Sequence, residues 1–121
     1  MTFPPRSSCN APRALLPQLV SKGVRVLAGE DSGIGVTYGI SLHGELSLMV
    51  EYGMSPVEAL RSATSTAASA YRLTDRGVIA PGYIADLLLV DGDPTTDLTD
   101  LRNIISVWTR GFAVSRQRFS D

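Results

Sequence analysis

The chain is nearly free of the two residue types that cross-link small domains and bind transition metals. Its 121 residues include one cysteine, Cys9, and one histidine, His43. A single cysteine excludes an internal disulfide framework of the kind that stabilises small secreted domains. It is in keeping with a reducing compartment, so the sequence predicts a cytoplasmic protein.

Long apolar runs and clusters of one charge are absent as well. No apolar run approaches the roughly 20 residues that span a bilayer, and the polar start, residues 1–10, does not resemble a secretory signal. The formal net charge is −1, and arginine and aspartate are spread along the chain. We therefore expect neither nucleic acid nor a membrane surface as a partner. Hydrophobic residues make up 44% and charged residues 19%, which is typical of a globular protein.

The first half of the chain predicts helices around one buried strand. Apolar spacing indicates a helix from Pro12 to Lys22, which Gly23 ends. A short β-branched run at 24–28 predicts a buried strand that leads into a glycine-rich loop, residues 29–35. That loop lacks the spacing of a nucleotide-phosphate motif.

Two more helices and a sheet are predicted after the loop. Residues 41–52 predict a helix with one apolar face, which Gly53 ends, and we expect Glu45 and Glu51 to lie on its solvated face. Ser55-Pro56-Val57-Glu58 has the pattern of a capping box and starts a helix that continues to Tyr71. Beyond residues 73–77 the pattern changes to a strand at 85–90 and a hairpin, 104–109 and 112–114, around Arg110-Gly111.

Several ordered motifs resemble those of the amidohydrolase superfamily. The longest, residues 76–94, reads RGVIAPGYIADLLLVDGDP and is similar to a C-terminal signature of that superfamily, in its imidazolonepropionase-like and prolyl-dipeptidase-like branch. The resemblance covers roughly residues 12–115. Four shorter motifs agree with it in order: GEDSG at 29–33, LHGEL at 42–46, GMSPVEAL at 53–60 and VWTRG at 107–111.

The resemblance implies an α/β architecture. Such enzymes are (β/α)₈ TIM barrels that carry a small composite β-sandwich built from both ends of the chain. Residues 1–11 would then be a flexible leader. Residues 12–74 would be the C-terminal part of the barrel, with 24–28 as its last strand, and residues 75–121 would supply C-terminal strands of the sandwich.

The resemblance also implies hydrolysis of a carbon–nitrogen bond in a small amide, a peptide or a cyclic amide. A divalent metal, usually zinc, lowers the pKa of its bound water to about 7 in such sites. Asp31 matches the aspartate that touches the metal or takes the proton from that water. His43 is a candidate for substrate binding. Glu30 departs from the family, which usually has a threonine there, and a second carboxylate could raise the pKa of Asp31.

Counting ligands predicts that this chain alone does not bind the metal. A catalytic zinc site generally takes three protein ligands, and the family draws most of them from histidines, including a His-x-His pair that is missing here. A complete barrel needs roughly 250 residues, and only one barrel strand is recognisable. We therefore expect an inactive segment of an enzyme, completed by more sequence, by a complementing chain or by oligomerisation.

Other interpretations remain open from the sequence alone. Asp31 could be a loop residue that caps a turn, and His43 could be an ordinary surface residue of an amphipathic helix. The whole chain could be a non-catalytic binding or assembly module, in which case its helix stripes would present a large exposed apolar surface. It could also be a gene fragment without a function.

Overall fold

Helices occupy the first part of the chain and a small sheet the second. The computed structural model describes residues 10–29 and 40–115. No helix in these two ranges is long and apolar enough to cross a membrane. The elements, in chain order, are α1 (Asn10–Ser21), α2 (Ile40–Glu51), α3 (Pro56–Ser62), α4 (Ser65–Ala70), β1 (Leu87–Val90), a 3₁₀ helix (Leu98–Arg102), β2 (Ile104–Thr109) and β3 (Phe112–Ala113).

Glycines end the first two helices, as the sequence predicts. The φ angle is +73° at Gly23, after α1, and +105° at Gly53, after α2. Glycine adopts this left-handed conformation without the steric cost that a Cβ imposes. Pro17 lies inside α1 and does not interrupt its assignment as one helix.

The capping box at the start of α3 is confirmed. The Ser55 hydroxyl accepts a hydrogen bond from the Glu58 N–H at 3.2 Å, and the Glu58 carboxylate accepts one from the Ser55 N–H at 2.7 Å. Two backbone donors at the helix end are thereby satisfied, and Pro56 occupies the first turn, where its missing N–H costs nothing.

The single helix predicted from Ser55 to Tyr71 is wrong. The structure divides it into α3 and α4 at Ala63 and Thr64, and Thr64 has φ −129° and ψ −99°. Two hydroxyls at the break bond back to helix carbonyls: Ser62 to Ala59 at 2.6 Å and Thr64 to Leu60 at 2.7 Å. Side chains of this kind compete with the helical backbone pattern and favour bends.

The capping box predicts a specific pH dependence of stability. Hydrogen bonds from the Ser55 N–H and hydroxyl lower the pKa of Glu58 below its ordinary value. A depressed pKa in the folded state stabilises the fold above the unfolded-state pKa, about 4.3, and this contribution is lost as the pH falls through the folded-state pKa. The difference in free energy of unfolding between wild type and Glu58→Gln should therefore shrink from pH 6 to pH 3. Urea titrations across this range test it, and a pH-independent difference would contradict it.

The sheet is antiparallel, with strand order β1-β2-β3. In the hairpin between β2 and β3, Arg110 has φ +50° and Gly111 has φ +82°, and a type I′ turn requires positive φ at both central residues; the pairing of the two strands confirms the predicted hairpin. The Asp86 carboxylate accepts the Arg110 N–H at 2.8 Å and thereby ties the turn to the residue that precedes β1.

The predicted strand at 24–28 is not formed in the described part of the chain. This segment has no strand or helix, and two of its backbone donors bond outside any ladder: Val24 to the Leu19 carbonyl at 3.0 Å and Ala28 to the Ser62 carbonyl at 3.3 Å. A strand needs a partner strand for its backbone hydrogen bonds, and no described strand pairs with this segment. Its apolar side chains Val26 and Ala28 instead pack against the helical core.

The core lies among α2, α3 and the 3₁₀ helix. Leu101 of the 3₁₀ helix packs in the same cluster as the helical residues, so the sheet half of the chain contributes directly to the core of the helical half. The buried hydrophobic members of the cluster are Leu46, Met49, Met54, Ala59 and Leu101, each at most 9% exposed.

Candidate functional site

The predicted catalytic residue lies outside the described residues. Asp31 and its neighbour Glu30 follow directly after Gly29, where the first described range ends, and the second range resumes at Ile40. The structure therefore reports on how the chain is held at Gly29, two residues before Asp31, and on the helix that follows the loop.

A carboxylate from α2 holds the chain at Gly29. The Gly29 N–H points at the Glu45 carboxylate and lies 3.1 Å from each of its two oxygens. Hydrogen bonds to an ionised acceptor are roughly twice as strong as those between neutral groups. The neighbouring Ala28 N–H donates to the Ser62 carbonyl at 3.3 Å. Consecutive backbone donors at 28 and 29 are thus bound by two different parts of the helical core.

The position of Glu45 on α2 explains why it faces the chain rather than solvent. Glu45 lies three residues after Leu42 and four before Met49, so it shares their face of the helix, and its neighbour Leu46 is 3% exposed. The prediction that Glu45 belongs to a solvated face is wrong, since the residue is partly buried and binds Gly29. Its spacing from Leu42 and Met49 is the sequence signal that could have shown this.

Glu51 behaves as predicted. Its side chain is 56% exposed and lies 3.8 Å from the Arg13 guanidinium of α1. An exposed pair of this kind contributes little to stability. Glu51 therefore provides a carboxylate on the same helix as Glu45 without a link to Gly29.

Ser62 is a second residue whose role the sequence did not indicate. It is 1% exposed, and its hydroxyl donates to the Ala59 carbonyl at 2.6 Å and approaches the Met49 sulfur at 3.4 Å. These contacts hold the end of α3 in place, and the Ser62 carbonyl in turn accepts the Ala28 N–H.

The structure places His43 on α2, two residues before Glu45. It is partly buried, and its backbone carbonyl accepts a hydrogen bond from the Ser47 hydroxyl at 2.8 Å. Residues two apart on an α-helix are separated by about 200° around its axis. His43 and Glu45 therefore lie on different sides of α2, and the substrate-binding role of His43 stays a prediction.

The described residues do not fit a catalytic metal by themselves. In ranges 10–29 and 40–115, no three histidine, cysteine, aspartate or glutamate side chains come together as a metal would require. Three aspartates of the second half instead stabilise local structure. Hydrogen bonds lower the pKa of each: from Arg76 to Asp75, from Thr95 to Asp93 and from Thr99 to Asp97.

A groove of about 500 Å³ lies between α3 and β1, and Gly29 does not line it. Its walls are mostly apolar, and its polar residues include Arg76 and Asp86. Arg76 is paired with Asp75 at 2.9 Å, and Asp86 holds the hairpin turn. The groove thus presents an apolar packing face rather than free catalytic groups.

Comparisons with known proteins give relatives of two enzymatic kinds. An adenine deaminase from Lysinibacillus sphaericus is 40% identical over 75 residues, which is 62% of this chain and 12% of that protein. An imidazolonepropionase from Pyrobaculum arsenaticum is 59% identical over 39 residues, or 32% of this chain and 10% of that protein. The matched segments therefore cover only about a tenth of the length of either relative.

Solved structures agree with the sequence relatives. A Xaa-Pro dipeptidase crystallised with methionine in its active site superposes with a TM-score of 0.75 at 32% identity, covering 86% of this chain and 25% of the dipeptidase. The sequence profile of the amidohydrolase family matches residues 7–114, nearly the whole chain. The resemblance found in the motifs is confirmed: the chain belongs to the amidohydrolase family.

Proposed function

We propose that the chain is the C-terminal segment of a metal-dependent amidohydrolase that hydrolyses a carbon–nitrogen bond. The observation that carries this proposal is the family match over residues 7–114. The segment would provide the last part of a (β/α)₈ barrel and the C-terminal strands of its β-sandwich. The division at residues 74 and 75 between these parts belongs to the same proposal.

Asp31 is the contribution of this chain to the catalytic site. In the complete enzyme it would help to hold a divalent metal, zinc in our proposal, which would supply an activated water, or it would accept the proton of that water. Active sites in such barrels lie at the C-terminal ends of the strands, and Asp31 would take this position if segment 24–28 pairs as a strand in the complete barrel. The substrate class is a small amide, a cyclic amide or a dipeptide, and the name of the dipeptidase relative supports the last of these.

The remaining ligands come from outside these 121 residues. One histidine in the whole sequence cannot supply a site that generally takes three protein ligands, mostly histidines. Solved relatives are about four times as long as the matched region, since the chain covers 25% of the dipeptidase. We infer that a longer polypeptide supplies the other barrel strands and the metal ligands.

The isolated 121-residue chain should show no metal-dependent hydrolysis. The test is a panel of Xaa-Pro dipeptides, adenine and cyclic amides, assayed with added Zn²⁺ and with a chelator. We expect no turnover above the metal-only blank in either condition. Turnover that disappears both with chelator and in Asp31→Ala would show that the chain forms a working site by itself.

A non-catalytic assembly module is the second candidate, and the exposed apolar side chains favour it. Ile79 is 91% exposed, Phe112 77% and Tyr71 72%. Surfaces of this kind mark interaction sites when they are contiguous. A monomer that resists protease and binds no hydrophobic dye would count against this module. If the native polypeptide is longer and has hydrolase activity, we would conclude instead that these side chains contact other parts of the same enzyme.

A further inference from the structure

We propose that Glu45 is a positioning residue for the catalytic loop. Its carboxylate fixes the backbone at Gly29 and so determines where the chain enters the segment that carries Asp31. The importance of this anchor for catalysis rests on the proposed function, whereas the anchor itself is a feature of the described residues.

The geometry of the contact indicates a specific link between the Glu45 side chain and the Gly29 backbone. One backbone N–H lies 3.1 Å from both oxygens of one carboxylate, and the two residues are 16 positions apart in the sequence. Gly29 itself is exposed, so its N–H bonds the Glu45 carboxylate in place of water. Glu45 therefore satisfies a donor and joins α2 to the chain before the loop with the same two oxygens.

Glu45 is carried by α2, a helix that is packed into the hydrophobic core. Leu46 and Met49, which follow it on α2, are 3% and 7% exposed and belong to the core cluster. A side chain carried by such a helix is held more firmly than one carried by a loop. The adjacent bond from Ala28 to the Ser62 carbonyl provides a second fixed point, and Ser62 is itself buried.

The short covalent link between Gly29 and Asp31 means that the position of Gly29 constrains the position of the proposed catalytic residue. Two residues of chain span at most about 7 Å, so a displacement of Gly29 displaces the attachment of Asp31. A misplacement of about 1 Å can lower a reaction rate by about 100-fold, because reacting groups need close alignment. Glu45 acts through the backbone and does not itself touch substrate in this proposal.

The kinetic test compares Glu45→Ala, Glu45→Gln and Glu51→Ala in the complete enzyme, with whichever dipeptide or cyclic amide it hydrolyses. Glu45→Ala should lower kcat by about 10- to 100-fold, the range measured for residues that orient catalytic ligands, and change KM by less than about twofold. Glu45→Gln retains one oxygen as an acceptor and should recover much of kcat. Glu51→Ala, on the exposed side of the same helix, should match wild type. Loss of kcat that Glu45→Gln does not rescue, or wild-type kcat in Glu45→Ala, would overturn the proposal.

Hydrogen exchange at the Gly29 amide tests the anchor independently of activity. In the same complete protein, this amide should exchange at least about tenfold faster in Glu45→Ala than in wild type or Glu51→Ala. An unchanged rate would refute the anchor even if the enzyme is active. If no substrate is hydrolysed by wild type but the amide responds as expected, the proposed function fails and the anchor stands.

Discussion

Replacing Asp31 by asparagine in the complete enzyme should lower kcat by about 10²- to 10⁴-fold, the usual contribution of a positioned general acid or base. Asparagine has nearly the same shape as aspartate, but its amide oxygen accepts a proton far less readily and carries no charge for a metal. The loss should therefore appear in turnover and metal retention rather than in folding. Steady-state kinetics and metal analysis of the purified variant measure both.

Two further variants separate this role from a general effect of lost charge. Asp93→Asn removes a carboxylate that accepts hydrogen bonds from Thr95 within a turn, and it should leave kcat near wild type. Glu30→Thr introduces the residue usual in the family and should retain activity. Equal turnover in wild type and Asp31→Asn would contradict the assignment of Asp31, whatever the two controls show.

Gly77→Ala should lower the free energy of unfolding more than the control substitution Gly82→Ala does. The φ angle at Gly77 is +87°, and a Cβ there would lie 2.6 Å from the Ala68 Cβ and 3.0 Å from the Thr64 carbonyl oxygen. A left-handed conformation costs a residue with a Cβ about 1–2 kcal/mol, and overpacking typically costs about 1–3 kcal/mol. We expect a combined loss of about 2–5 kcal/mol in the free energy of unfolding, measured by urea denaturation.

Gly82→Ala is the matched control for this loss. Gly82 has nearly the same angle, φ +84°, but a Cβ there would meet no atom within 4 Å. It should therefore show only the backbone cost of about 1–2 kcal/mol. Equal losses at the two positions would mean that α4 does not pack against Gly77 as described.

Local signals in the sequence predicted the local structure well. Gly23 and Gly53 mark the helix ends, Ser55 and Glu58 form the capping box, and Arg110-Gly111 forms the hairpin turn. Each of these features depends on residues within one turn of the chain. The family resemblance likewise depends on short ordered motifs, and the family match confirms it.

Two of the features that the sequence did not predict depend on partners distant in the chain, and a third depends on local hydroxyl hydrogen bonds. A buried strand at 24–28 requires neighbouring strands, and none in the described part of the chain pairs with it. The break between α3 and α4 reflects hydroxyls that bond back to the backbone, which apolar spacing does not show. The spacing of Glu45 from Leu42 and Met49 indicates the helix face that it shares with them, but it does not indicate its partner Gly29, 16 residues earlier in the chain.

The exposed apolar side chains on the two faces of the sheet have a consistent explanation in the proposed enzyme. Leu88 and Leu89 of β1 are each 48% exposed, and Ile105 of β2 is 55% exposed. Strands of this composition are normally covered on at least one face. A longer polypeptide that completes the barrel and the sandwich provides the surface that such strands need.

The size of the native protein in its source cells tests this account most directly. An antibody against residues 76–94 would detect the chain by immunoblot. We predict a band well above the 12.9 kDa of this sequence, because the proposed site requires ligands and strands from additional polypeptide. A single band at 12.9 kDa would contradict the account and direct attention to a binding partner instead of a substrate.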